Sequence, residues 1–118
     1  EEIVHKVSGS LNLCGKLSLP ETAAVLQKAA LLITGDSGIM HLGYAAGTKV
    51  VALFGPGIER KWAPRSPRVA ILDKHLKCSP CTKFGYTKKC SNGAECMQQI
   101  TPAEVLRSSL DLLARVEG

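Results

Sequence analysis

Aromatic side chains are scarce in this chain, which has one tryptophan, two tyrosines and two phenylalanines among 118 residues. The core must therefore be built mainly from aliphatic side chains. A hydrophobic share of 45% favours a globular domain over a disordered segment, and the length allows one ordinary core. The sequence has no internal repeats, no low-complexity stretches and no apolar run of the ~18 residues that a membrane-spanning helix needs. These absences leave a single aliphatic globular domain.

Neither a signal-peptide pattern nor an initiator methionine opens the chain, so we expect it to begin inside a longer protein. The formal net charge is +5. A positive balance fits an anionic partner such as a nucleotide, a lipid phosphate or a nucleic acid. An ordinary basic surface explains the same charge equally well.

Helix and strand signals alternate along the first 72 residues. Helices are predicted at residues 1–7, 19–29 and 37–46, and unbroken apolar runs predict buried strands at 11–14, 31–34, 50–54 and 69–72. Capping boxes begin at Ser18 and Thr101. The alternation predicts an α/β fold with a Rossmann-like parallel sheet of about four strands flanked by helices. The final helix, from Thr101, is predicted to turn these side chains inward: Val105, Leu106, Leu110, Leu113 and Val116.

Residues 73–100 form a long loop that carries four cysteines in the pattern Cys-x2-Cys-x8-Cys-x5-Cys. Four thiolates could hold a structural zinc ion, could pair as disulfides, or could remain unligated thiols. The four are Cys78, Cys81, Cys90 and Cys96. The fifth cysteine, Cys14, lies in a predicted strand and is expected to be a buried apolar residue. The loop also carries lysines that could face an anionic acceptor, a membrane surface or only solvent: Lys74, Lys77, Lys83, Lys88 and Lys89.

The turn after the predicted strand 31–34 reads Gly-Asp-Ser-Gly-Ile-Met-His. Ligands of open parallel sheets bind beyond the carboxyl ends of the strands, and helix N-terminal amides attract anions. Asp36, Ser37, Gly38 and His41 are therefore candidate ligand contacts. The simpler interpretation is that Asp36 or Ser37 only caps the following helix and that His41 only packs.

Several segments, in order from about residue 9 to 116, together resemble glycosyltransferase family 9, the lipopolysaccharide heptosyltransferases. They comprise residues 12–19, 36–42, 46–48, 51–56, 62–64, the cysteine loop with Met97, and 101–105. Two positions depart from the family pattern. Gly57 stands where the family usually has Thr, and Ile39 stands where it often has a small residue or Pro.

The resemblance implies that residues 1–118 are a C-terminal nucleotide-sugar-binding domain, one half of the two-domain GT-B architecture. It implies an inverting glycosyltransferase that moves heptose from ADP-heptose to the lipopolysaccharide inner core, with no catalytic metal. Asp36, Ser37, Gly38 and His41 would line the diphosphate and sugar, and Leu17 matches a position beside the adenine. The catalytic base and the acceptor contacts would belong to an N-terminal domain, so this chain alone is expected to be inactive. A cytoplasmic location follows, with peripheral contact at the inner face of the inner membrane as a further expectation, and no nucleic acid is expected as a partner.

Two other functions fit parts of the sequence. Nucleotide-sugar epimerases share the GT-B architecture and a similar Asp-Ser-Gly turn, but lack the cysteine loop and the Trp62-Ala63-Pro64 pattern. A non-enzymatic, zinc-stabilised basic module that binds nucleic acid would use the net charge of +5 and the cysteines. Binding to DNA, with none to ADP, would favour that module.

Overall fold

The structure, a computed structural model, describes residues 2–78, 81–83, 86–87, 89–91 and 93–115. The elements follow in this order: α1 (Glu2–Lys6), α2 (Leu19–Lys28), β1 (Leu32–Gly35), α3 (Gly38–Ala45), β2 (Val50–Phe54), α4 (Glu59–Trp62), β3 (Val69–Asp73), β4 (Thr82–Lys83), β5 (Tyr86–Thr87), α5 (Glu95–Gln98) and α6 (Pro102–Ala114). Among the predicted residues, Lys88 and Val116 lie outside the described ones, as does the side chain of Lys83.

The main sheet contains three parallel strands in the order β1-β2-β3. Leu32 of β1 is opposite Val50 of β2, and Val50 is opposite Val69 of β3. The α/β class and the parallel pairing of the 31–34 and 50–54 segments are therefore confirmed. β2 occupies the centre because it is the most apolar strand, and four of its five residues are buried.

One face of the sheet packs against α3 and holds the main core. Val50, Ala52 and Phe54 point to this face, where they meet Met40 of α3. The approach is close because Gly43 has no side chain: a Cβ there would lie 2.5 Å from Cδ2 of Leu32. The buried hydroxyl of Thr48 donates a hydrogen bond to the carbonyl of Leu26, which ties the end of α2 to the start of β2.

The opposite face of the sheet packs against α6, but the helix presents a different stripe from the predicted one. Ser109 and Leu112 are buried, whereas Leu106, Leu110 and Leu113 are exposed. The burial of Ser109 is possible because its hydroxyl donates to the carbonyl of Val105 within the same helix. The prediction that these side chains point inward is therefore wrong for Leu106, Leu110 and Leu113.

The predicted strand at residues 11–14 does not form, and Leu11 is 81% exposed. An apolar run becomes a strand only when a neighbouring strand satisfies its backbone hydrogen bonds. In the described part of the chain the main sheet pairs β2 with β1 and β3, and residues 11–14 have no place in it. Cys14 is accordingly exposed rather than buried.

Both predicted capping boxes are present. The Ser18 side chain accepts from the Glu21 amide at the start of α2, and Thr101 and Glu104 do the same at α6. Side-chain hydrogen bonding from Lys74 and the backbone bond from Thr101 hold the pKa of Glu104 below its usual value. No helix among the described residues is long and apolar enough to cross a bilayer.

Candidate functional site

The predicted ligand-binding turn lies where the parallel-sheet argument places it, between the end of β1 and the start of α3. β1 ends at Gly35, Asp36 and Ser37 form the turn, and α3 begins at Gly38. Asp36, Ser37, Gly38 and His41 are all solvent-exposed. They are therefore accessible to a ligand rather than packed into the core.

The N-terminus of α3 differs from those of α2 and α6 in one respect. Ser37 occupies the N-cap position in extended backbone but makes no side-chain capping hydrogen bond. Its hydroxyl instead lies 3.4 Å from the hydroxyl of Thr34. The simple interpretation, in which Ser37 caps the helix, is therefore not what the structure contains. The N-terminal amides of α3, with the partial positive charge of the helix dipole, remain suited to an anion.

A cavity of about 360 Å³ opens at the carboxyl ends of β1 and β2. One wall is built from the turns that follow these two strands, and it includes Asp36. The opposite wall comes from the segment that was predicted as an irregular loop. The lining residues are Gly35, Asp36, Leu53, Gly55, Pro56, Gly57, Thr82, Thr87 and Met97.

The second wall is a short antiparallel hairpin formed by β4 and β5. The backbone amides of Cys81 and Thr82 both donate to the carbonyl of Pro56, at 2.9 Å each. The hydroxyls of Thr82 and Thr87 lie 2.6 Å apart across the hairpin. The hairpin therefore brings two hydroxyl groups to the cavity that contains the Asp36 carboxylate.

Helix α5 contributes Met97 to this wall. It can approach so closely because Gly55 has no side chain. A Cβ at Gly55 would lie 2.7 Å from Sδ of Met97 and 2.8 Å from Sγ of Cys96. Contacts that short do not occur between real atoms, so a larger residue would force the side chains of Met97 and Cys96 to move. The predicted loop at 73–100 thus contains elements of its own, which are held against the Gly-Pro-Gly turn after β2.

Of the predicted site residues, Asp36 is the one that lines this cavity. Asp36 lines the cavity, while Ser37, Gly38 and His41 continue along the start of α3 and are not part of its lining. Leu17, half-buried just before α2, does not line it either. The other lining residues were not predicted as site residues, and Thr82, Thr87 and Met97 are the ones far from Asp36 in the chain. The Gly-Pro-Gly turn after β2 was the sequence signal that could have indicated them, because its glycines leave room for another segment to approach the cavity.

The cysteines do not form the predicted metal site. Among the described residues, which include Cys78, Cys81, Cys90 and Cys96, no three His, Cys, Asp or Glu side chains are arranged to hold a metal ion. Cys78, Cys81 and Cys96 carry free thiols, so no disulfide joins them either. Cys96 is buried in α5, whereas Cys78 and Cys90 are at exposed positions. Structural zinc is therefore not supported.

Burial also sets the chemistry of Cys96. Desolvation raises the pKa of its thiol, and the charges of the other three loop cysteines raise it further. Because the thiolate is the reactive form, we expect Cys96 to be alkylated more slowly than the exposed Cys14, Cys78 and Cys90.

Replacing Gly55 by Ala should expose Cys96. The added Cβ displaces the side chains of Met97 and Cys96, and a local opening that becomes easier by about 1.4 kcal/mol would make alkylation of Cys96 on the order of ten-fold faster. Timed iodoacetamide labelling followed by peptide mass spectrometry measures this rate for each cysteine. Gly35→Ala is the matched control, because its Cβ would only make an ordinary 4.0 Å contact with the Leu53 carbonyl oxygen. Equal Cys96 rates in both variants would contradict the packing described for Gly55.

Comparison with known proteins places the chain in a family. The model for glycosyltransferase family 9 (heptosyltransferase) matches residues 1–92. Lipooligosaccharide heptosyltransferase 2 of Campylobacter jejuni subsp. jejuni serotype O:2 is 31% identical over 104 residues, which is 86% of this chain and 31% of that protein. Lipooligosaccharide heptosyltransferase 2 of Haemophilus influenzae is 29% identical over 89% of this chain and 30% of that protein. Lipopolysaccharide heptosyltransferase 2 of Salmonella typhimurium is 27% identical over 87% of this chain and 29% of that protein.

No solved structure matches the chain significantly. The chain spans less than a third of the length of these curated relatives. The family match covers most of the chain, including β1, α3, β2 and the Asp36 turn. This chain therefore belongs to glycosyltransferase family 9.

Proposed function

We propose that the cavity at the carboxyl ends of β1 and β2 binds the nucleotide-sugar donor of a glycosyltransferase. The observation that carries the proposal is that the α3 N-terminus, which has no side-chain cap, directly follows the exposed carboxylate of Asp36, which lines the cavity. The first suits an anionic diphosphate. The second is a hydrogen-bond acceptor and suits sugar hydroxyls.

Asp36 and the α3 N-terminus are expected to contact different parts of the donor. A carboxylate repels a diphosphate, so Asp36 is expected to face the sugar rather than the phosphates. Ser37, Gly38 and the exposed His41 lie along the start of α3, where amide, hydroxyl and imidazole donors can reach phosphate oxygens. The hydroxyls of Thr82 and Thr87, on the opposite wall, are further partners for the sugar. Leu17 remains the predicted contact of the adenine.

We further propose the donor and the reaction of the whole protein. The curated relatives are named as lipooligosaccharide or lipopolysaccharide heptosyltransferases, which supports ADP-heptose as donor and the lipopolysaccharide inner core as acceptor. Residues 1–118 would be the C-terminal half of a GT-B enzyme. The base of the inverting reaction and the acceptor contacts would lie in the N-terminal half. The whole enzyme would be in the cytoplasm. The lysines after β3 would contact anionic lipid at the inner face of the inner membrane.

Calorimetric titration of this chain with ADP-heptose, ADP and AMP tests the donor assignment. We expect ADP-heptose to bind more tightly than ADP, and ADP more tightly than AMP, because each comparison removes one group that the site recognises. Binding should weaken as salt rises, since the diphosphate is held electrostatically. A folded chain that binds none of the three, or that binds duplex DNA instead, would exclude the proposal. Mixed with donor and acceptor, this chain alone should transfer no heptose.

A further inference from the structure

The side chain of Asp36 occupies the space in which a side chain of residue 57 would lie. A Cβ built on Gly57 would lie 2.1 Å from Oδ2 of Asp36, 3.2 Å from its Cγ and 3.6 Å from its Cβ. The Asp36 side chain therefore lies along its whole length over the position that a side chain at residue 57 would occupy. Both residues line the same cavity.

The need for glycine at this position is a matter of space rather than backbone conformation. Gly9, Gly15, Gly47 and Gly93 have positive φ values, whereas Gly57 does not. An L-residue could therefore adopt the backbone of Gly57, and only the Asp36 carboxylate stands in its way.

Hydrogen bonds within the described residues do not hold the Asp36 carboxylate in this direction. Ser37 and Thr34 hydrogen-bond to each other, and the Gly57 neighbourhood is tied to the hairpin through the Pro56 carbonyl. No protein donor anchors it in the described part of the chain, and the carboxylate lies where the missing side chain of Gly57 leaves room for it. An acceptor oxygen must point at its donor to form a useful hydrogen bond, so this direction decides which ligand hydroxyls it can reach.

We propose that Gly57 is a specificity-determining position, which sets the direction of the Asp36 carboxylate toward the sugar of the donor. The proposal rests on the proposed function, because it assumes that Asp36 contacts the sugar. A side chain at residue 57 would turn the carboxylate away and change which sugar hydroxyls are recognised. Gly57 acts through Asp36 and is a positioning residue.

The test is a double-mutant cycle with Gly57→Ala and Asp36→Ala, followed by titration with ADP-heptose and ADP. We expect Gly57→Ala to weaken ADP-heptose binding by about three- to ten-fold and ADP binding by a smaller factor. In the Asp36→Ala background the same glycine replacement should have no further effect, because the carboxylate that it displaces is gone. An equal loss in both backgrounds, or an equal loss for both ligands, would overturn the proposal.

Melting temperatures and a crystal structure of Gly57→Ala provide a readout that does not depend on ligand. The steric clash predicts a lower Tm for Gly57→Ala than for the double variant, and a rotated Asp36 side chain. An unchanged carboxylate would overturn the inference even if the wild-type chain binds ADP-heptose. Failure of the wild-type chain to bind ADP-heptose, together with a rotated carboxylate, would instead identify the donor assignment as the error.

Discussion

Replacing Phe54 by Ala should lower the free energy of unfolding by about 3–5 kcal/mol, the usual cost of emptying a buried aromatic site. Among the described residues, Phe54 is the largest fully buried side chain, and it packs at the end of β2 with Met40 and Ala63. The chain contains only two phenylalanines, so few other aromatic side chains could fill the cavity that Phe54→Ala leaves. Domains of this size are stable by about 5–15 kcal/mol, so the variant should lose a large fraction of its stability.

Urea unfolding followed by circular dichroism measures this effect. Phe54→Leu keeps most of the volume and should be destabilised less than Phe54→Ala. Leu106→Ala is the matched control for an apolar truncation at the surface, because Leu106 is 60% exposed, and its cost should stay within about 0.5 kcal/mol. Similar midpoints for Phe54→Ala and Leu106→Ala would mean that the core does not lie where the structure places it.

Replacing Asp36 by Ala should weaken binding of ADP-heptose by about 10- to 100-fold, since one charge-assisted hydrogen bond contributes roughly 1.5–3 kcal/mol. His41→Ala should weaken ADP-heptose binding by a similar factor if His41 donates to a phosphate. It should then weaken ADP binding as well. Asp36 and His41 are exposed, so neither change should unfold the chain. The pair therefore separates sugar recognition from phosphate recognition.

Asp111→Ala is the control for Asp36→Ala, because it removes a carboxylate from an exposed position of α6. It should leave the dissociation constants of both ligands at the wild-type value. Wild-type affinity in Asp36→Ala and His41→Ala, with normal melting curves, would exclude the α3 N-terminus as the donor site. A loss in Asp36→Ala that is equal for ADP and ADP-heptose would place the carboxylate near the nucleotide instead of the sugar.

Local patterns predicted the elements whose signals are contained within a few residues. Ser18 and Thr101 open α2 and α6 because a capping box needs only the residues three positions apart that form it. The apolar run at 50–54 became the central strand because it is apolar on both of its faces. The Asp36 turn was identifiable because the end of a strand and the start of a helix are adjacent in the chain.

Features that depend on distant partners could not be predicted in this way. The apolar run at 11–14 has the composition of a strand, yet no neighbouring strand in the described part of the chain pairs with it. The stripe of α6 that faces the sheet was ambiguous, because α6 has apolar residues on more than one side and a serine can be buried when a carbonyl of its own helix accepts a hydrogen bond from its hydroxyl. The cysteine spacing fits a metal site, but spacing does not determine whether four side chains converge.

By itself, the sequence determined the α/β class, the helix starts, the central strand and the turn that carries Asp36, because each depends on short-range periodicity and capping. Only the tertiary structure decided that the segment after β3 folds back over the Gly-Pro-Gly turn, that Thr82, Thr87 and Met97 face Asp36, and that Gly57 makes room for its carboxylate. Those contacts join residues far apart in the chain. They depend on how closely backbones can approach, which is a property of packed volumes and not of residue order.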